Sequence, residues 1–251
     1  MSGVFHVGEA AYNDFMGRYS VRLAPQFVDF VAVGEGDRAL DVGAGTGALA
    51  AELLRRGADV AAAEPSPEFT QALRSRFPSL EVHDASAERL PFEDDTFDVA
   101  LAQLVVAFMA DAPAAMRELA RVARTVAICM WGVEEVEMFA AIGRTSRAIG
   151  GGAPQADATR YRTSAELAGL LTGADLQDLE LAELDVTASY TGYDDFWHAL
   201  TRQVGPAGAW LKALDAEQFA AARDEMFRQL GSPVGEFELS GRAYAAKARR
   251  A

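Results

Sequence analysis

The chain has 251 residues, half of them hydrophobic and 24% charged, which suits a globular α/β domain with a sizeable core and excludes a disordered or fibrous chain. Its formal net charge of -14 argues against docking on DNA or RNA, where affinity rests on Lys and Arg neutralising phosphates. Cys129 is the sole cysteine, so no intramolecular disulfide forms. Residues 1–10 carry neither a basic nor an apolar leader pattern, and no apolar run approaches a membrane span. Neither nucleic acid nor membrane is therefore an expected partner, and the cytoplasm is the expected location.

In chain order, residues 1–34 read as an N-terminal helical segment. From Arg38 to Trp131 short apolar runs alternate with longer helical patterns, as in βαβ units with a parallel sheet. Strands are predicted at 39–42, 60–63, 80–82, 97–102 and 125–130. A helix over 46–56 stops at Gly57, a second opens on Ser66 as N-cap with Pro67 in its first turn, and Asp111 caps a third. Thr163 and Glu166 stand at capping-box spacing before a helix that Gly173 closes, and a sixth strand lies within 176–186. Residues 193–230 break the alternation with two helical patterns, the second capped by Asp215 and Gln218. The tail 236–249 predicts a last, antiparallel edge strand. The whole is expected to be one domain over 1–251. Its fold is expected to be α/β: a Rossmann-like seven-stranded mixed sheet with helices on both faces and a helical cap at 193–230 before the last strand.

Leu40-Asp41-Val42-Gly43-Ala44-Gly45-Thr46-Gly47 sets a glycine-rich turn between the first strand and its helix, at the carboxyl end of the sheet where such folds bind ligands. Gly43, Gly45 and Ala48 also satisfy the loose dinucleotide pattern, with Glu64 at a suitable distance. Asp41 weighs against a dinucleotide: a carboxylate just before the first glycine repels a pyrophosphate and attracts an ammonium. Its other role is to tie the loop through backbone amides. Glu64 ends the second strand, where a carboxylate can accept from two ribose hydroxyls. Asp84 ends the third, where it can accept from an adenine amine while the Ala85 amide donates to the ring.

With these motifs the chain resembles the class I S-adenosylmethionine-dependent methyltransferases, in particular the bacterial small-molecule group of the methyltransferase type 11 kind. The matching segments are 39–53, 60–73, 82–92 and 97–122, including the run Asp84-Ala85-Ser86-Ala87-Glu88-Arg89-Leu90-Pro91-Phe92 followed by Phe97-Asp98. The resemblance implies S-adenosylmethionine as cofactor. Asp41 and Gly43, within the loop that includes Ala44 and Gly45, would hold its methionine end and Glu64 its ribose. Pro65 and Ser66 would flank the adenosine, Asp84, Ala85 and Ser86 would meet the adenine, and Gln103 and Leu104 would lie beneath the cofactor after the fourth strand. The run 12–20 is similar to a segment that closes over the cofactor in this group, through Tyr12, Met16 and Tyr19; its other reading is an amphipathic helix packed on the sheet.

The acceptor is a small molecule on this reading. Methyl transfer needs an in-line nucleophile held close to the methyl, and a general base is optional. Of His6, His83 and His198, the last is the best candidate base, in Asp194-Asp195-Phe196-Trp197-His198. Trp131, Trp197 and Trp210 are candidates to line an apolar acceptor cavity, with core packing as the alternative. No residue cluster has metal-ligand spacing, so no metal is expected. The rival functions are an NAD(P)-dependent oxidoreductase and a protein that keeps S-adenosylmethionine bound without methylating.

Overall fold

The computed structural model describes residues 8–150, 160–202 and 205–250. Strands β1 (Arg38–Val42), β2 (Asp59–Ala63), β3 (Glu81–His83), β4 (Phe97–Gln103) and β5 (Ala123–Trp131) run parallel. With β6 (Gln177–Tyr190) and β7 (Phe237–Arg249) they form a seven-stranded mixed sheet in the order β3-β2-β1-β4-β5-β7-β6. The chain reverses direction across the sheet after β3, and β1 and β4 are neighbours at that switch point. Ligands of open α/β sheets bind in the crevice such a point leaves beyond the strand ends.

The central strands are buried on both faces, which their unbroken apolar runs require. Ala39, Leu101, Ala127, Cys129 and Trp131 belong to one core layer, covered by α2 (Arg18–Val31), α3 (Ala48–Arg55) and α6 (Glu137–Ala148). Leu40, Val42, Ala102, Ile128 and Met130 belong to the other, under α5 (Ala112–Val122) and α7 (Ser164–Thr172). Alternation along a strand thus sends Asp41 and Gln103 to the α2 side. Ahead of α2 lie α1 (Glu9–Tyr12) and a π-helical turn, Asn13–Gly17.

The capping predictions hold at Asp111, whose side chain accepts from the Ala114 amide, and at both capping boxes, Thr163 with Glu166 and Asp215 with Gln218. Ser66 occupies the N-cap of α4 (Pro67–Arg76), but its hydroxyl makes no capping bond; its carbonyl instead accepts from Thr70 Oγ1 at 2.7 Å.

Two expectations are corrected. The last strand is antiparallel but not at the edge: β7 lies between β5 and β6 and pairs antiparallel with both. Small side chains let it fit there, since Ala243, Ala245, Ala246 and Ala248 are all buried. The edge is β6, whose outer half carries exposed Asp178, Glu180, Glu183 and Asp185, charges that discourage further strand pairing. Second, residues 193–229 hold three helices and not two: α8 (Tyr193–Leu200), α9 (Gly205–Ala213) and α10 (Ala216–Gln229). Gly205, at φ +61, and Pro206 restart the chain as a separate helix, Pro being suited to a first turn.

Candidate functional site

The turn after β1 is built by glycines in the left-handed region. Gly43 has φ +70, and a Cβ there would stand 2.5 Å from Val105 Cγ2, so the position admits only glycine without repacking. Its amide donates to the Ala63 carbonyl at 2.7 Å, which pins the loop to the end of β2. Gly45 has φ +54 and open space on its Cβ side.

Beside this loop is a small cleft, lined by Tyr12, Ser20, Asp41, Gln103 and the stretch from Gly43 to Leu49 apart from Gly47. Its floor is Asp41, 1% exposed. Burial pushes the Asp41 carboxyl up to about 7, opposed by a hydrogen bond from the Ala50 amide and aided by the nearby charge of Glu64. Asp41 Oδ2 is buried and has no hydrogen-bond partner, and the same is true of Gln103 Oε1. Gln103 Nε2 donates to the Ser20 carbonyl at 3.2 Å. Buried polar atoms are nearly always paired, so two orphaned acceptors on one cleft define the ligand's chemistry: it must bring donors.

Glu64 is also buried, and its oxygens accept from the Gly45 and Ser66 amides, each at 2.9 Å. Burial raises its pKa and those two amides oppose the rise. The carboxylate thereby joins the glycine loop to the start of α4 and retains lone pairs for further donors.

The N-terminal segment roofs the cleft. Asn13 Oδ1 accepts from Thr46 Oγ1 at 2.8 Å, Tyr12 stands edge-on to Phe69 at 5.8 Å, and the Tyr12 and Ser20 hydroxyls are 3.5 Å apart. Ion pairs tie this roof to the helical segment before β7. Arg18 grips Asp195 with two bonds of 2.9 and 2.6 Å, and Arg202 reaches Asp14 at 2.8 Å.

Of the residues singled out from sequence, Tyr12, Asp41, Gly43, Ala44, Gly45 and Gln103 come together at the cleft, with Glu64 holding its rim. Met16 does not line it, and Tyr19 is fully buried between α2 and the sheet, edge-on to Trp131 at 5.9 Å. Leu104 is buried below, with its amide on the Cys129 carbonyl. Pro65, Ser66, Asp84, Ala85 and Ser86 lie along the strand ends outside the cleft, and Asp84 stands 3.7 Å from Arg74. Ser20, Thr46 and Leu49 line the cleft without having been singled out.

Of the histidines, His198 is exposed on α8 and His83 pairs with Glu81 at 2.8 Å; His6 lies outside the described residues. Trp197 is buried against Tyr193 and Phe219, within the helical segment, and Trp210 is likewise buried. Burial pushes the Cys129 thiol well above its ordinary range, which keeps it protonated and inert.

An open α/β sheet thus carries a glycine turn, an orphaned carboxylate and a second-strand acid together at its switch point. The comparisons give the family: residues 40–130 match the methyltransferase domain. A methyltransferase of Mycobacterium tuberculosis is 36% identical over 100 residues, 40% of this chain and 41% of that protein. A demethylmenaquinone methyltransferase of Chlorobaculum parvum is 39% identical over 92 residues, 35% of this chain and 38% of the other. The solved structure of an S-adenosylmethionine-dependent methyltransferase from Aquifex aeolicus superposes with TM-score 0.53 at 18% identity, over 69% of this chain and 87% of that one. The chain spans less than half the length of the curated relatives it matches. Residues 40–130 belong to the class I S-adenosylmethionine-dependent methyltransferase family. The family's cofactor is S-adenosylmethionine, and the residues present fit it: its α-ammonium would supply the donors that Asp41 and Gln103 lack.

Proposed function

We propose that this protein is a methyltransferase that acts on a small-molecule acceptor. The observation that carries the reading is the orphaned Asp41 oxygen beside the glycine loop. A dinucleotide would bring a pyrophosphate to this turn and meet a buried acid, whereas an amino-acid ammonium relieves it. The name of the Chlorobaculum parvum relative supports a small acceptor for this chain as well.

On this reading Asp41 and Gln103 hold the ammonium, and the open face of Gly45 admits the ligand backbone. Glu64 takes the ribose hydroxyls, and Asp84 with Ala85 meets the adenine at the end of β3. The bound cofactor supplies a methyl group on a sulfonium, activated for attack by a nucleophile. What the chain contributes is placement: the roof of Tyr12 and Asn13 excludes water, and the strand ends fix one ligand against the next. His198 stands outside the cleft and receives no role.

The test is calorimetry with S-adenosylmethionine, S-adenosylhomocysteine and NAD, followed by turnover with methyl-labelled cofactor and candidate acceptors. Both adenosyl ligands are expected to bind and NAD is not. Tight NAD binding with no response to either adenosyl ligand would overturn the assignment.

A further inference from the structure

Among the described residues three buried side-chain atoms lack a hydrogen-bond partner: Asp41 Oδ2, Gln103 Oε1 and Trp131 Nε1. They do not scatter. Asp41 precedes the last residue of β1, Gln103 ends β4 and Trp131 ends β5, and these three strands are consecutive in the sheet. All three residues lie on the face that α2 covers, where Ser20 meets Gln103 and Tyr19 meets Trp131. The first two are acceptors and belong to the cleft already described. The third is a donor, on a residue 5% exposed, two residues past the register pair of Gln103 with Cys129.

The indole is held in place by its surroundings. Its Cζ3 edge packs over Gly241 of β7, where a Cβ would stand 3.7 Å away. Nε1 lies across the indole from Cζ3, so the donor edge is turned away from β7. Tyr19 meets the ring at 79°, edge-on. A buried N–H without an acceptor is costly, because no water compensates it, and a ligand atom that accepts there gains what the protein lacks.

We infer that Trp131 Nε1 donates a hydrogen bond to a carbonyl or hydroxyl oxygen of the methyl acceptor, making Trp131 a specificity-determining residue for an acceptor that carries such an oxygen. The inference rests on the methyltransferase reading above. The polarity of the row carries it: acceptors at β1 and β4 for the ammonium of one ligand, then a donor at β5 for the oxygen of the other.

Indole ¹⁵N-labelled protein, saturated with S-adenosylhomocysteine, is titrated with 1-tetralone, 1-naphthol and naphthalene. Trp131→Phe, which removes the N–H and keeps an aromatic ring, assigns the Trp131 resonance. The two oxygenated probes are expected to shift that resonance downfield and naphthalene is not. In Trp131→Phe the oxygenated probes should lose roughly three- to tenfold in affinity, while naphthalene and S-adenosylhomocysteine bind as before. Equal responses to all three probes, no binding by the oxygenated ones, or unchanged affinities in Trp131→Phe overturn the inference. If wild-type protein fails to bind S-adenosylhomocysteine, the underlying reading falls and this one with it. Normal binding of that ligand without the selective response at Trp131 removes the inference alone.

Discussion

Asp41 is caught between burial, which favours the neutral acid, and the ligand it is placed to receive, which favours the carboxylate. Burial holds its pKa at about 7, with Glu64 adding to the rise. Below that value the ligand-free protein keeps the proton, and an arriving ammonium displaces it. Affinity for S-adenosylhomocysteine is therefore expected to strengthen from about pH 5.5 to about pH 7.5 and then level off. Calorimetry in two buffers of different ionisation heat should detect proton release near pH 6 that disappears by about pH 8. Asp41→Asn should abolish it. Flat affinity with no proton release would remove Asp41 from the ammonium site. The sign for stability is opposite. A carboxyl whose pKa is raised on folding contributes most below its unfolded value and loses that contribution as pH rises to about 7, so Asp41→Asn should gain on wild type over that window. Glu64 answers a separate question. Its two amide bonds hold the loop, and its remaining lone pairs are proposed for the ribose. Glu64→Ala should weaken S-adenosylhomocysteine binding by about 2–4 kcal/mol with circular dichroism unchanged. Unchanged affinity in a folded variant rejects the ribose role.

Between the residues and the whole stands the π-helical turn at Asn13–Gly17. Tyr12, Met16 and Tyr19 have the spacing of one face of an α-helix. A π turn inserts an extra residue into that face, so the face that begins at Tyr12 continues at Ser20, and Tyr19 rotates onto Trp131. Tyr19 was singled out through the family resemblance of the run 12–20, and Ser20 was not, because nothing in that run reports a local change of pitch. Gly17 assists the turn, since a Cβ there would stand 3.1 Å from Asn13 Oδ1. The roof so formed is latched by Arg18 to Asp195, a two-bond pair about three-quarters buried on both sides. A double-mutant cycle on Arg18→Ala and Asp195→Ala should return a coupling of about 1 kcal/mol. Amide exchange over 9–17 should quicken in either single variant. Additive effects and unchanged exchange would mean that the pair is ornamental to the roof. The parallel strands were legible to within a residue or two because each is an apolar run bounded by turn residues. Asp41, Gly43, Gly45 and Glu64 were legible because a glycine turn and strand-end acids report chemistry directly. The place of β7 was not, since alternation reveals a strand and a short connection its direction, but neither says which strands flank it. The charges that mark β6 as the edge were present in its own sequence.

At the scale of the molecule, the cleft and the segment 193–229 are built from different parts of the chain. Every residue lining the cleft lies at or before Gln103, whereas α8, α9 and α10 pack on the same face through Phe196, Trp197, Trp210 and Met226. Trp197 is interior to that segment, stacked with Tyr193 at 6.2 Å and edge-on to Phe219 at 5.4 Å, so its side chain shapes the segment before it can touch any ligand. The expectation is a division of labour: the helical segment sets which acceptor enters, and the strand ends hold the cofactor. Trp197→Ala opens a hole in the segment's core, a change that typically costs about 3–5 kcal/mol. Trp197→Phe keeps much of the volume and serves as the variant that folds if the first does not. In whichever variant circular dichroism shows folded, S-adenosylhomocysteine affinity should stay within about twofold of wild type, well under the tenfold that 1.4 kcal/mol represents. Amide exchange over 193–229 should rise, and the Michaelis constant for an identified acceptor should rise with it. The contrary outcome is equally readable. If cofactor affinity falls while exchange in the strands and acceptor kinetics do not change, the segment is a cofactor lid acting through the Arg18 latch, and the acceptor is chosen elsewhere.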